Sequence, residues 1–177
     1  MSINNIVLKN NYASLLGSSA YETPFELSGD GLEILKYHTS TPRQTLTITQ
    51  KDQSENHHLK VTAKDGFVYL TNKRLVFITS TQGDMDTFSI DLNLAPVLQL
   101  SHKLQAPWFG PNYWEFMFYS AAEPQFASDG FPKNQYFKGE IRFHDGGLFT
   151  FVDLLNKVVH DCVNNREIDE ELPQYSA

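Results

Sequence analysis

The chain reads as a mainly β domain: about seven antiparallel strands in a sandwich or barrel, closed by one C-terminal helix. Three patterns predict this. Asn112 to Tyr119 alternates, with Trp114, Phe116 and Phe118 on one face and Tyr113, Glu115, Met117 and Tyr119 on the other, the period of two that a strand imposes. Gly66 to Ser80 carries β-branched and aromatic residues on both sides of Thr71-Asn72-Lys73, which reads as a hairpin. From Val152 the period lengthens: Val152, Leu155, Val158, Val159 and Cys162 recur at three and four residues, one apolar stripe along a helix to about Asn165.

The remaining elements follow in chain order. Residues 1–29 are expected to form a poorly packed N-terminal extension, followed by a domain over 30–165 and an acidic tail over 166–177. Gly31 to His38 and Gln44 to Thr49 have strand composition and are separated by a turn at Pro42. Both faces of the following hairpin are apolar, Phe67 and Tyr69 against Val68 and Leu70, then Leu75 and Phe77 against Val76 and Ile78, as expected near the middle of a sandwich. Thr87 to Leu92 alternates, and Val97 to Leu104 is a further strand closed off by Pro107. Ala121 to Asn134, with Pro124, Gly130 and Pro132, reads as a loop inserted in a hairpin connection. Gln135 to His144 resumes as strand, and Asp145-Gly146-Gly147 is a tight turn into a short return strand over Leu148 to Phe151. The closing helix would then cover an open end of the β core, with Asp153, Asn156, Lys157 and Asp161 in water.

Composition bounds the function. At 177 residues and 41% hydrophobic content the chain can bury a core as one domain. A formal charge of −7 argues against broad attraction to nucleic acid or anionic membranes, and no sequence-specific nucleic-acid binding is expected. The single cysteine and the lack of any Asn-x-Ser/Thr acceptor read as intracellular. With neither a signal peptide nor a transmembrane segment, a soluble monomer in the cytoplasm or nucleus is expected.

The C-terminus is the most specific functional signal. Leu172-Pro173-Gln174-Tyr175 hangs from the acidic run Glu167-Ile168-Asp169-Glu170-Glu171, and an L-P-x-Y tetrapeptide has the shape of a WW-domain ligand. Pro173 fixes its own φ and pushes Leu172 toward extended or polyproline geometry, while Tyr175 supplies a large amphipathic anchor.

Other strings point to a family. Gly66-Phe67-Val68-Tyr69-Leu70-Thr71 with Arg74 and Phe77, then Pro107-Trp108-Phe109-Gly110-Pro111-Asn112-Tyr113, then Gly146-Gly147 ahead of the helix resemble the GRAM domain of the WW-domain-binding protein 2 family. The resemblance covers roughly Gly31 to Cys162 and implies a pleckstrin-homology-like fold of two roughly orthogonal sheets. It also implies an interaction role, with a HECT-type ubiquitin ligase as the WW partner and a possible place as a transcriptional co-activator. That family carries repeated P-P-x-Y motifs in a long tail, whereas this chain has one L-P-x-Y, and its loops over Lys51 to His58 and Ala121 to Asn134 look longer. The central string, with Pro107, Trp108, Phe109, Gly110, Asn112 and Tyr113, is expected to form an ordered surface loop that recognises a protein partner.

The alternative function is phosphoinositide binding through Lys60, Lys64, Lys73 and Arg74. These cations are spread thinly with Asp65 among them, and an ordinary solvated strand edge accounts for them better. No enzyme is expected, because no nucleophile elbow, phosphate-cradling loop or zinc motif is present. No cofactor or metal is expected either: His57 and His58 sit beside Glu55 in a polar loop, and Cys162 falls on the apolar stripe. His144, Asp145 and His160 could approach one another, yet a turn and a helix surface explain them with less.

Overall fold

The computed structural model describes residues 1–18, 22–51, 59–81 and 83–171, the last seven by their backbone alone. Two five-stranded antiparallel sheets pack face to face. The first has the order β1 (Ser2–Ile3), β7 (Thr87–Asp91), β6 (Arg74–Thr79), β5 (Gly66–Thr71), β2 (Leu35–His38). The second runs β4 (Lys60–Ala63), β3 (Gln44–Gln50), β10 (Gln135–Phe143), β9 (Tyr113–Ser120), β8 (Ser101–Gln105). A short helix, α1 (Tyr12–Leu15), lies in the N-terminal segment, and α2 (Leu148–Glu171) closes the fold.

The core between the sheets is aromatic. Trp114, Phe116 and Phe118, alternating on β9, are fully buried. Trp114 stacks on Phe116 with ring centroids 4.6 Å apart, and Phe118 stacks on Phe137 of β10 at 5.2 Å. Such offset aromatic pairs add to the burial of the rings themselves. Gly139 of β10, opposite Phe116, has no side chain because the Phe116 ring occupies the space a Cβ would need.

The N-terminal segment is packed, not loose, which corrects the expectation for the residues before Asp30. Met1, Thr23 and Phe25 are buried, and Ser2 and Ile3 pair with Ser89 and Phe88 of β7. The cause is the two-faced hairpin. Val68, Leu70, Leu75 and Phe77 belong to the core between the sheets. Phe67, Tyr69, Val76 and Ile78 point the other way, and Phe25, with Ile6, Leu8, Leu16 and Leu27 around it, covers them. Apolar residues on both sides of a strand require a cover on both sides.

Four element boundaries also differ from the sequence-based reading. Leu148 to Phe151 is the first turn of α2, not a return strand. Gly146 and Gly147 take φ of +80° and +86°, and the Phe151 amide donates to the Gly147 carbonyl at 3.0 Å. The helical turn puts Leu148 and Phe151 in phase with Leu155, Val158 and Cys162, all buried. At its other end α2 continues through the acidic run to Glu171, since nothing before Leu172-Pro173 breaks a helix. The strand expected over Gly31 to His38 begins only at Leu35. Asn72 bonds the backbone of Leu32 and Ile34, so a side chain stands in for the ladder there. Instead of starting a strand at Val97, the chain turns over Ala95 to Gln99 and enters β8 at Ser101, Pro96 having no amide to give a ladder.

Candidate interaction site

The β8–β9 connection is a protruding tip. Pro107 and Pro111 fix φ at its two shoulders, Gly110 supplies the positive φ of +87° that the turn needs, and Asn112 is tied down by the Phe143 amide, which donates to its carbonyl at 3.3 Å. The tip itself carries Trp108 at 98% exposure and Phe109 at 92%. Neither ring is part of the core, and both were singled out by the sequence. Tyr113, where β9 begins, is covered by Arg142 of β10, whose guanidinium carbon lies 4.2 Å from the ring centroid. Arg142 Nη1 also reaches the Pro111 carbonyl at 3.5 Å. Arg142 was not among the sequence candidates: its pairing opposite Tyr113 is a matter of register, which no single strand reveals.

Six residues after Trp108, Trp114 is fully buried. Its indole Nε1–H donates to His102 Nδ1 at 3.2 Å, and burial holds His102 below the ordinary histidine range.

The four cations considered for phosphate are not gathered into one patch. Lys64 follows β4, whereas Lys73 precedes β6, at the two ends of β5; six strand residues span about 20 Å. Lys73 Nζ lies 2.8 Å from Asp30 Oδ2. Arg74 is held more tightly: its Nε is 2.7 Å and its Nη2 3.1 Å from the carboxylate of Glu33, and its guanidinium sits 5.0 Å from the centre of the Phe25 ring. Glu33 also accepts from Thr71 Oγ1 at 2.7 Å and the Ser28 amide at 2.8 Å. Burial pushes the Glu33 carboxyl up, but the bonds from Arg74, Thr71 and Ser28 outweigh it and leave it below its usual value. Lys73 and Arg74 line an open cleft of about 510 Å³ together with Glu26, Asp91, Leu94 and the exposed Phe126. Its cations already face carboxylates, so it offers no bare anion site. Lys60, on β4, belongs to the other sheet.

The remaining candidates are equally dispersed. His144 Nε2 lies 2.9 Å from Thr45 Oγ1, Asp145 takes Arg43 and Thr41, and His160 contacts Asn164. Cys162 is buried, its Sγ donating to the Asn72 carbonyl at 3.4 Å, and its thiol is pushed up mainly by burial. Among the described residues no cluster of His, Cys, Asp and Glu could hold a metal ion, and no helix is long and apolar enough to cross a membrane. Leu172, Pro173 and Tyr175 lie outside the described residues, as do His57 and His58.

No family model and no curated protein matches the chain. Among solved structures it is similar to the Vps36 N-terminal PH domain, with a TM-score of 0.50 and 11% identity over 84% of this chain and 93% of that one. It is also similar to a chain of the 8S snRNP assembly intermediate, with a TM-score of 0.42 and 15% identity over 72% of this chain and 80% of that one. Two antiparallel sheets closed by one C-terminal helix, with the Vps36 domain as a neighbour, establish a pleckstrin-homology-like sandwich.

Proposed function

We propose that the chain is a non-enzymatic adaptor: a pleckstrin-homology-like interaction domain, of the GRAM type its sequence resembles, joined to a C-terminal WW-domain ligand. Leu172, Pro173 and Tyr175 dock in the aromatic groove of a WW domain, with a HECT-type ubiquitin ligase as the partner class. The observation that supports this reading is the position of the motif. Among the side chains described, Cys162 is the last buried one of α2, and the helix runs nine residues further to Glu171. At 1.5 Å per residue that is about 14 Å of helix before Leu172-Pro173-Gln174-Tyr175 begins. A nuclear role as a transcriptional co-activator rests on the family resemblance alone.

Calorimetric titration of the full chain against a panel of WW domains tests the reading. One short motif binds weakly, with Kd on the order of 10 to 100 μM, equivalent to about 5.5 to 7 kcal/mol. Tyr175→Ala should remove the binding, and phosphorylation of Tyr175 should do the same by placing charge in an apolar pocket. Heat unchanged by Tyr175→Ala, or no heat with any WW domain, rejects the adaptor.

A further inference from the structure

The tip between β8 and β9 has a chemistry of its own. From Gln105 to Trp114 no residue is charged, in a chain where one residue in five is. Trp108 and Phe109 stand side by side at 98% and 92% exposure on a convex turn. They project from the domain. Pro107 and Pro111 have no amide hydrogen, so the turn has fewer backbone donors to strip of water when it leaves the aqueous phase. At its base, Arg142 covers Tyr113 and reaches the Pro111 carbonyl. Beside it, the Phe143 amide bonds Asn112 and the His144 amide bonds Arg43, which pairs with Asp145 at 2.7 Å. An uncharged aromatic tip above a nearly balanced charged collar fits a membrane interface, where indole and phenyl rings concentrate and guanidinium groups sit among headgroups.

We infer that the Pro107–Pro111 tip inserts Trp108 and Phe109 into the headgroup–acyl boundary of a lipid bilayer, seating the domain peripherally on the membrane. The contact is apolar, and it makes no use of Lys60, Lys64, Lys73 or Arg74. A protein pocket fits less well, because it would have to be concave enough to enclose two adjacent rings that stand at 98% and 92% exposure. The inference is independent of the WW ligand: if both hold, the adaptor brings its partner to a membrane.

The two tryptophans make the test direct. The full chain is mixed with phosphatidylcholine vesicles, with and without phosphatidylserine, and both co-sedimentation and tryptophan emission are followed. Co-sedimentation should occur with both compositions, persist in high salt, and be accompanied by a blue shift and loss of aqueous quenching. Trp108→Phe should abolish the spectral change while keeping sedimentation, since Trp114 is already buried. Trp108→Ala combined with Phe109→Ala should abolish sedimentation without lowering the thermal midpoint. Tyr175→Ala should sediment like the parent, so failure of the WW reading leaves this result untouched. No sedimentation with either vesicle, unchanged sedimentation of the double variant, or binding that requires phosphatidylserine and vanishes in salt overturns the inference. Capture of the tip by a protein in the absence of any vesicle binding overturns it as well.

Discussion

Arg74 and Glu33 form an ion pair in which the carboxylate is buried and the guanidinium borders the open cleft: their side chains are 24% and 1% exposed, and the Nε to Oε2 distance is 2.7 Å. The pair joins the β6 strand to the loop before β2, and Thr71 and the Ser28 amide complete the coordination of the carboxylate. Removing one partner of such a pair strands a buried charge. Arg74→Ala should cost about 3 to 5 kcal/mol in chemical denaturation. Lys73→Ala, at the more exposed pair with Asp30, should cost no more than about 1 kcal/mol. Equal losses would show that Arg74 is not structural.

Acid should weaken the fold in two stages. His102 is held neutral by burial, its folded pKa depressed below the ordinary 6.5. The unfolded chain therefore binds more protons there, and that contribution, present above 6.5, is lost as pH falls below it. Glu33 is also depressed, from 4.5. Its contribution is present above that value and is lost as pH falls through the folded pKa. Denaturation midpoints measured across pH should fall in both windows, and His102→Asn should reduce the loss in the upper one without removing it, because burial also lowers the Met1 ammonium from 8.0 to about 5.

The core has no spare room at Gly139 and no slack under α2. Gly139→Ala forces a methyl group into the Phe116 ring and should cost about 1 to 3 kcal/mol by overpacking. Leu155→Ala leaves a cavity beneath the helix and should cost about 2 to 5 kcal/mol. Thermal melts of the two variants check both, and a near-neutral Leu155→Ala would mean that α2 is not docked.

Trp108 and Trp114 separate surface from core within one turn of hairpin. Trp114→Ala should cost about 3 to 5 kcal/mol, whereas Trp108→Ala should stay within about 0.5 kcal/mol of the parent. A large loss at Trp108 in a urea titration would assign the tip a structural role.

The sandwich and its closing helix were legible because alternation and the change of period are written within single segments. Asn112 to Tyr119 and the stripe ending at Cys162 show their faces without help from the rest of the chain. What spans segments was harder to read. The apolar second face of the hairpin read only as a place near the middle of a sandwich, and nothing local to residues 1–29 named Phe25 as the cover it needs. Leu148 and Phe151 fit either a return strand or a helical stripe, and the positive φ of Gly146 and Gly147 decided between them. At the candidate site, the sequence showed an unusual Pro107 to Tyr113 string and the structure exposed its rings. Arg142, from a strand twenty-nine positions after Tyr113, became visible only once the register was known. The internal pairing of Lys73 and Arg74 likewise depends on Asp30 and Glu33 folding back, some forty residues earlier.

The two-residue strand β1 has a kinetic consequence. Ser2 and Ile3 pair with Ser89 and Phe88, and on their other side Ile3 donates to the Asp129 carbonyl while the Asp129 amide donates to Met1. Neither partner is near in sequence, so this seam can form only after loops of more than eighty and more than one hundred and twenty residues have closed. Local hairpins such as β5–β6 meet no such delay. The N-terminal strand is thus the expected last piece to lock, and amide protons around Ile3 and Asp129 should gain protection after those of Tyr69 and Val76 during refolding.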